Sequence, residues 1–376
     1  MAGIYIHVPF CKTRCIYCDF YTRTDLKPRK EYVEAICKEI ALRKDYIRGE
    51  EIDTIYFGGG TPSQLSYEDF DRIFESINKD FIVNRDAEIT LEANPDDLNI
   101  KYIRDLCKLP FNRLSIGVQS FNDNELRFLN RRHSAEKAKE AVLDSQNAGF
   151  SNISIDLIYG LPNQTMDIWQ KNLAQTLSLG IQHISSYHLI YEQGTRLYGL
   201  LEKESIRPVD EDLSVDMFSA MIDKLAEAGF QHYEISNFAQ EGFISRHNSS
   251  YWLGKKYLGL GPAAHSFDGC NRAWNIPSIA KYIEKIKNNL LPLEIEVLDE
   301  NTRYNDFILT GMRTMWGVDL RRLEEKFGEN MKKYALANVQ KYIDKGFVTN
   351  ENNILKLTRD GIFISDGIMS DMMWID

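Results

Sequence analysis

No apolar run in this chain approaches the roughly 18 residues that a membrane-spanning helix needs. The first residues enter a strand-like segment without the basic and apolar regions of a secretory leader. Cysteine is too sparse for a disulfide framework: of the six, Cys37, Cys107 and Cys270 stand singly, as in a reducing compartment. A cytoplasmic protein is expected. Positive charge is also short, with 45 Lys and Arg against 55 Asp and Glu, a net −10. That balance disfavours wholesale binding to nucleic acid or to an anionic membrane. The triple glycine Gly58–Gly60 lacks a following Gly-Lys-Ser/Thr and the GxGxxG register, which excludes a P-loop and a dinucleotide fingerprint.

What is present is 376 residues, 43% hydrophobic and 27% charged, an ordinary soluble composition. The length exceeds one compact core, so a large domain and a small one are expected. Helical spacing of Tyr32, Val33, Ile36, Ile40 and Ile47 predicts a helix over 31–48, and another starts near Tyr67. Strands are predicted at 53–57, 87–93, 113–119, 152–158 and 183–190, with helical stretches between them. Asn122 and Glu125 have the spacing of a capping pair. Gly149, Gly180 and Gly229 sit where helices end. Such alternation means a parallel α/β sheet.

The strands themselves alternate. Leu114, Ile116 and Val118 oppose Arg113, Ser115, Gly117 and Gln119; Ile153, Ile155 and Leu157 oppose Asn152, Ser154 and Asp156. Helices on both faces of an open sheet would bury the polar set at a cost. A barrel with apolar faces turned out and polar faces lining a lumen avoids this. The expectation is an incomplete (β/α)6 TIM-like barrel wide enough for a polar ligand, over residues 1–230. Residues 231–295 read as irregular strands and loops rich in aromatics and glycine, with the boundary near 293–301. Residues 296–376 read as a winged-helix-like module with one hairpin, FVTNENNILKL, and a final helix after Thr358. From 301 on, 11 Lys and Arg balance 11 Asp and Glu, so a lid or docking role is favoured over DNA binding.

Three cysteines, Cys11, Cys15 and Cys18, fall within eight residues directly after the first strand. Thiolates so close make a ligand face. A closed zinc site needs four ligands, and no second cysteine pair exists, although His7 could complete a zinc knuckle. An iron–sulfur cube on three thiolates would keep one iron open. Active sites of (β/α) barrels lie at the C-terminal strand ends. Those ends carry the cysteine loop, Gly58–Thr61, Glu92, Gln119, Asp156 and the vicinity of His188. Glu92 and Asp156 could accept from a ribose or an ammonium group, or pair with Arg113 or Arg131. His133, His183 and His232 read as structural or surface residues. By composition, the stretch from Arg246 to Trp252 reads as an aromatic hairpin.

The ordered motifs YIHVPFC-x3-C-x2-C, FGGGTPS, ITLEANP, RLSIGVQSF, LNRRH, IDLIYGLPNQT and GLGPAAHS run from about Tyr5 to Ser266. Together they resemble the oxygen-independent coproporphyrinogen III oxidase family of radical S-adenosylmethionine (AdoMet) proteins. The resemblance implies a [4Fe-4S] cluster on Cys11, Cys15 and Cys18, whose open iron chelates AdoMet and whose electron cleaves the sulfonium to a 5′-deoxyadenosyl radical. It implies AdoMet contacts at Tyr5, Gly59, Gly60, Thr61, Glu92, Gln119, Arg131 and Asp156, with a further one near His265. One or two AdoMet molecules are both compatible with it. The family divides into oxidases and haem chaperones. Oxidases carry another cysteine where this chain has Phe20, and a longer segment before the cysteine loop. The chaperone branch carries HNxxYW, matched by His247-Asn248-Ser249-Ser250-Tyr251-Trp252. The resemblance therefore implies haem as cargo held by His247 and passed to membrane respiratory haem proteins, with membrane association only through those partners. Homodimerisation stays open, and no nucleic acid is expected. The competing activity is radical decarboxylation of coproporphyrinogen III propionates; a third possibility is a zinc-stabilised barrel.

Overall fold

The computed structural model describes residues 2–375. Its first half alternates strand and helix: β1 (Ala2–Val8), α1 (Arg29–Leu42), β2 (Ile52–Gly59), α2 (Tyr67–Asp80), β3 (Val83–Ala93), α3 (Ile100–Leu106) and β4 (Arg113–Gln119). Then come α4 (Asp123–Phe128), α5 (Ala135–Asn147), β5 (Ile153–Tyr159), α6 (Met166–Ser178), β6 (His183–His188), α7 (Arg196–Glu202) and α8 (Glu211–Glu227). Strands β1 to β6 pair in chain order, every neighbour parallel. This is the open six-stranded (β/α) barrel that the alternation demanded. Ile4, Ile6, Phe57, Leu91, Leu114, Ile116, Ile155 and Leu157 face outward into one core with the helices. The opposite residues turn into the lumen.

Helix α2 shows how the outer layer is specified. Ser66 and Asp69 form a reciprocal capping box, and Phe70, Ile73, Phe74 and Ile77 make the buried stripe. Gly149, Gly180 and Gly229 take positive φ after α5, α6 and α8, where a side chain would be strained. Two local expectations fail. Helix α1 stops at Leu42 because Arg43 turns inward: its guanidinium donates to Gly259 O (2.8 Å) and Ser266 Oγ (3.0 Å) and faces fully buried Glu39. Asn122 does cap α4, accepting from Asn124 N and Glu125 N. The return half is missing, because the Glu125 carboxylate serves Ser120, Asn172 and Gln164 instead.

Past the barrel lie β7 (Gln231–Glu234), β8 (Asn237–Ala239), α9 (Arg246–Trp252), β9 (Tyr257–Leu260), β10 (His265–Phe267), β11 (Asn271–Asn275), α10 (Ile279–Lys287) and β12 (Leu293–Val297). They extend the sheet on both sides, to the order β12-β11-β10-β9-β1-β2-β3-β4-β5-β6-β8-β7. The stretch read as a loop or aromatic hairpin is in fact helix α9. Ser245 caps it, and the Glu88 carboxylate accepts from Arg246 N and His247 N at 2.9 Å, satisfying first-turn donors from a distant strand.

The C-terminal unit has α11 (Glu300–Met312), β13 (Val318–Asp319), α12 (Leu320–Asp344), β14 (Val348–Glu351), β15 (Ile354–Leu357), α13 (Arg359–Ile362) and α14 (Ser365–Met372). The hairpin forms as expected and joins β13 in the order β13-β15-β14, a winged-helix-like arrangement with its own core around Tyr304, Leu323, Ala335 and Ile368. The single final helix is two short ones, and α12 is kinked at Gly328, whose φ of 82° leaves the helical region. No described helix is long and apolar enough to cross a membrane.

Candidate functional site

A cavity of about 440 Å³ opens at the C-terminal ends of β1 to β6. Cys11, Cys15 and Cys18 form one wall. Their loop is held by its own small core: Ile16 packs with Leu129, Ile158, Leu161, Leu189 and Leu197. Backbone bonds add to this, Cys11 N to Arg23 O (2.9 Å) and Leu197 N to Ile16 O (2.8 Å), so the three thiols sit on a fixed support. Burial raises the Cys11 thiol, and burial together with the neighbouring cysteines pushes Cys18 up to about 11. Without a cation, thiolates are therefore costly here. Among the described residues no three His, Cys, Asp or Glu side chains group closely enough for a single metal ion. His7 does not complete a zinc knuckle in this conformation: Nδ1 meets Tyr5 OH (3.2 Å) and Nε2 meets Tyr21 O (3.0 Å).

Gly59, Gly60 and Thr61 form the adjoining wall. Gly59 has φ 104°, and a Cβ there would fall 2.5 Å from His7; one on Gly60 would fall 2.8 Å from Val8 O. Bare backbone is thus required where the chain crosses the end of β1, just before the cysteine loop. Thr61 Oγ1 donates to Cys11 Sγ at 3.3 Å. Glu92 accepts from Tyr56 OH (2.7 Å) and from Gly59 N (3.2 Å). Burial nevertheless raises it to about 7, and raises Asp156, despite its bond from Ser115 (3.1 Å), to about 6. Two carboxylates held near the edge of ionisation in one hollow call for a positively charged guest.

Arg131 ties the site together. It donates to Cys15 Sγ (3.5 Å), to Asn94 Oδ1 (2.7 Å) and to Gly117 O, while its Nε is buried without a partner. An orphaned donor beside three thiols and two carboxylates marks a place built for a further polar group. Gln119 closes the ring from β4 with φ 69°, a strained conformation for a residue with a side chain. The chemistry of this set fits an iron–sulfur cube carrying a zwitterionic, cationic ligand.

Seven expected ligand contacts, Gly59, Gly60, Thr61, Glu92, Gln119, Arg131 and Asp156, line this one cavity with the cysteines. Tyr5 and His265 do not. Tyr5 lies deeper, its ring stacked 6.2 Å from Tyr56, and His265 stacks on Trp274 at 5.8 Å. His133 and His183 are buried and His232 partly so, each in hydrogen bonds of the framework. Sequence reasoning overlooked Tyr56 and Asn94. Tyr56 was findable, since it alternates with Gly58 on the inward face of β2, and Asn94 follows Glu92 in the same strand-end motif. Tyr187 and Ile190 complete the mouth near His188, and Phe20, 61% exposed, stands beside Cys18.

His247 is elsewhere, at the N-terminal end of the barrel. The residue is 1% exposed and its ring stacks on Tyr56 at 4.9 Å; Nδ1 meets Thr54 Oγ1 (2.7 Å) and Nε2 meets Tyr251 OH (2.8 Å). Burial and the Arg113 charge hold its pKa near 3, so the imidazole is neutral. In this conformation both nitrogens are engaged.

Comparison with known proteins agrees with this geometry. The radical SAM superfamily profile matches residues 5–174, and the HemN C-terminal domain matches 298–364. The chain is 33% identical over 372 residues to "Heme chaperone HemW" of Bacillus subtilis, covering 98% of both chains. It is 32% identical to the protein of the same name in Lactococcus lactis, covering 99% of this chain and 97% of the relative. In fold it is similar to the solved structure of Escherichia coli coproporphyrinogen III oxidase (HemN), a radical SAM enzyme, with TM-score 0.85, 22% identity and coverage of 99% and 90%.

Proposed function

The chain belongs to the HemW family of radical SAM proteins, and from that premise we propose that it carries haem and delivers it to haem-requiring respiratory proteins. In this reading Cys11, Cys15 and Cys18 hold a [4Fe-4S] cluster, with AdoMet beside it. When bound, the cluster supplies an open iron for AdoMet and a single electron for reductive chemistry. The observation that carries the cofactor reading is the convergence of three thiols, the Gly59–Thr61 backbone, Glu92, Gln119, Arg131 and Asp156 on one cavity from the ends of separate strands.

The residues divide the work. Glu92 and Asp156 offer negative charge to the guest's cationic and hydroxyl groups. Arg131 braces Cys15 against the β3 and β4 strand ends. Gly59 and Gly60, kept bare by the end of β1, present backbone on the cavity wall. The names of the relatives, and HNxxYW at His247–Trp252, support haem as cargo, with His247 as the iron ligand. Ligation requires one His247 nitrogen to give up its partner, the Thr54 or the Tyr251 hydroxyl. Recipients at the membrane would be met through partner contacts, and self-association is tested by sedimentation with and without the cluster.

Two measurements separate carrier from oxidase. Haem added to the anaerobic protein should give a Soret band, and His247→Ala should weaken binding about tenfold or more, a loss of about 1.4 kcal/mol. An equal Soret titration in both proteins would count against His247. Incubation with coproporphyrinogen III, AdoMet and a reductant should yield no vinyl product. Vinyl product would make the chain an oxidase despite Phe20.

A further inference from the structure

A second cavity, about 660 Å³, lies between the barrel extension and the C-terminal unit, within the roughly 300–1,000 Å³ of small-molecule and cofactor sites. It is larger than the cysteine-lined cavity and on the side where α9 closes the barrel. Its walls are aromatic: Tyr251 and Trp252 from α9, Tyr257 from β9, and Phe307, Trp316 and Phe327 from the C-terminal unit. Four cationic side chains share the lining with two acids, Asp306 and Asp319. Both acids are committed. Asp306 pairs with Arg272, and Asp319 caps α12 through the amides of Arg321 and Arg322. Arg303 turns its Nε to Asp299 O at 3.3 Å. Arg322 and Lys326, one turn apart on α12, have no carboxylate partner among the described residues. Lys326 Nζ stands 5.4 Å over the Phe307 ring, and although the residue is exposed, partial desolvation there and the Arg322 charge lower its pKa. An aromatic-lined cavity bearing two cations without carboxylate partners suits an aromatic, largely apolar molecule that carries carboxylates.

We propose that this interdomain cavity is where haem sits, its propionates on Arg322 and Lys326 and its iron towards α9. The inference rests on the haem-carrying reading and adds the site. The cavity lining contains no His, Cys or Met, but its Tyr251 ring also covers His247, whose Nε2 holds the Tyr251 hydroxyl. Tyr251 therefore stands between the cavity and the imidazole, and its displacement is what ligation by His247 would require.

The test is a titration of the anaerobic protein with haem and with haem dimethyl ester, read by difference spectra. Arg322→Glu combined with Lys326→Glu alters exposed residues, so the cluster content should stay at the wild-type level. The double variant should bind haem about tenfold more weakly or worse, about 1.4 kcal/mol. The ester should bind the wild type weakly and be indifferent to the double substitution. Tyr251→Phe, which removes the hydroxyl lock, should keep the Soret band and speed its appearance. If the wild type binds haem and the double variant binds it equally well, the cavity is not the site. If the wild type binds neither compound, the haem-carrying reading itself falls.

Discussion

Replacing Cys15 by alanine should leave a folded protein that holds no iron. The thiol is only half-buried, and Arg131, which donates to it at 3.5 Å, keeps Asn94 and Gly117 when the sulfur is removed. The loop itself is anchored by the next residue, Ile16, buried against Leu129 and Leu197. Loss of the sulfur should therefore change the stability of the metal-free chain by less than about 1 kcal/mol. A cluster on Cys11, Cys15 and Cys18, in contrast, would lose one of its three protein corners. Iron and sulfide per chain should fall from about four each in the reconstituted wild type to near zero. Cys37, Cys107 and Cys270 lie outside the site. Their alanine variants should keep the full complement. Retention of iron in Cys15→Ala, or zinc in place of iron in the wild type, would overturn the cluster assignment.

Much of this site could be read from the sequence because a strand has a period of two. Glu92, Gln119 and Asp156 each stand on the polar side of an alternating strand, and a parallel arrangement puts all three at the same end of the barrel. The helix ends at Gly149, Gly180 and Gly229 were legible for a similar local reason. What was hidden depends on contacts between distant segments. Helix α9 is short and poor in strong helix formers; it forms because Glu88, on β3, takes its first-turn amides. Nothing near residue 246 in the sequence announces that carboxylate. The inward turn of Arg43 likewise answers Glu39, Gly259 and Ser266, the last two more than 200 residues away. The burial of His247 follows from the same docking of α9 onto β1 and β2. A motif can name a residue without saying whether it faces solvent.

Replacing Glu92 by glutamine separates the two things this carboxylate does. Its pKa in the structure is raised from 4.5 to about 7, chiefly by burial, against the bonds from Tyr56 and Gly59. For a raised acid, the favourable contribution to folding is intact below the unfolded value and is lost as pH rises through 7. At pH 8 the ligand-free wild type therefore carries a charge that its surroundings disfavour. Glutamine can still accept from Gly59 N and donate to the Tyr56 oxygen. The variant should be more stable than the wild type at pH 8, by on the order of 1–2 kcal/mol because the group partly faces the cavity. The gain should vanish near pH 5, and melting curves of ligand-free protein at the two pH values measure it. AdoMet binding should move the opposite way. A cationic guest needs the ionised carboxylate, so wild-type affinity should rise between about pH 6 and 8 and then level. A charge-assisted hydrogen bond contributes about 1.5–3 kcal/mol, so Glu92→Gln should bind AdoMet some ten- to hundredfold more weakly at pH 8. It should also lose most of the pH dependence, leaving the smaller part due to Asp156. A variant that gains stability at pH 8 while losing AdoMet identifies Glu92 as a group whose cost in the empty barrel is offset by its guest. Equal affinity in the two proteins would remove Glu92 from the binding site.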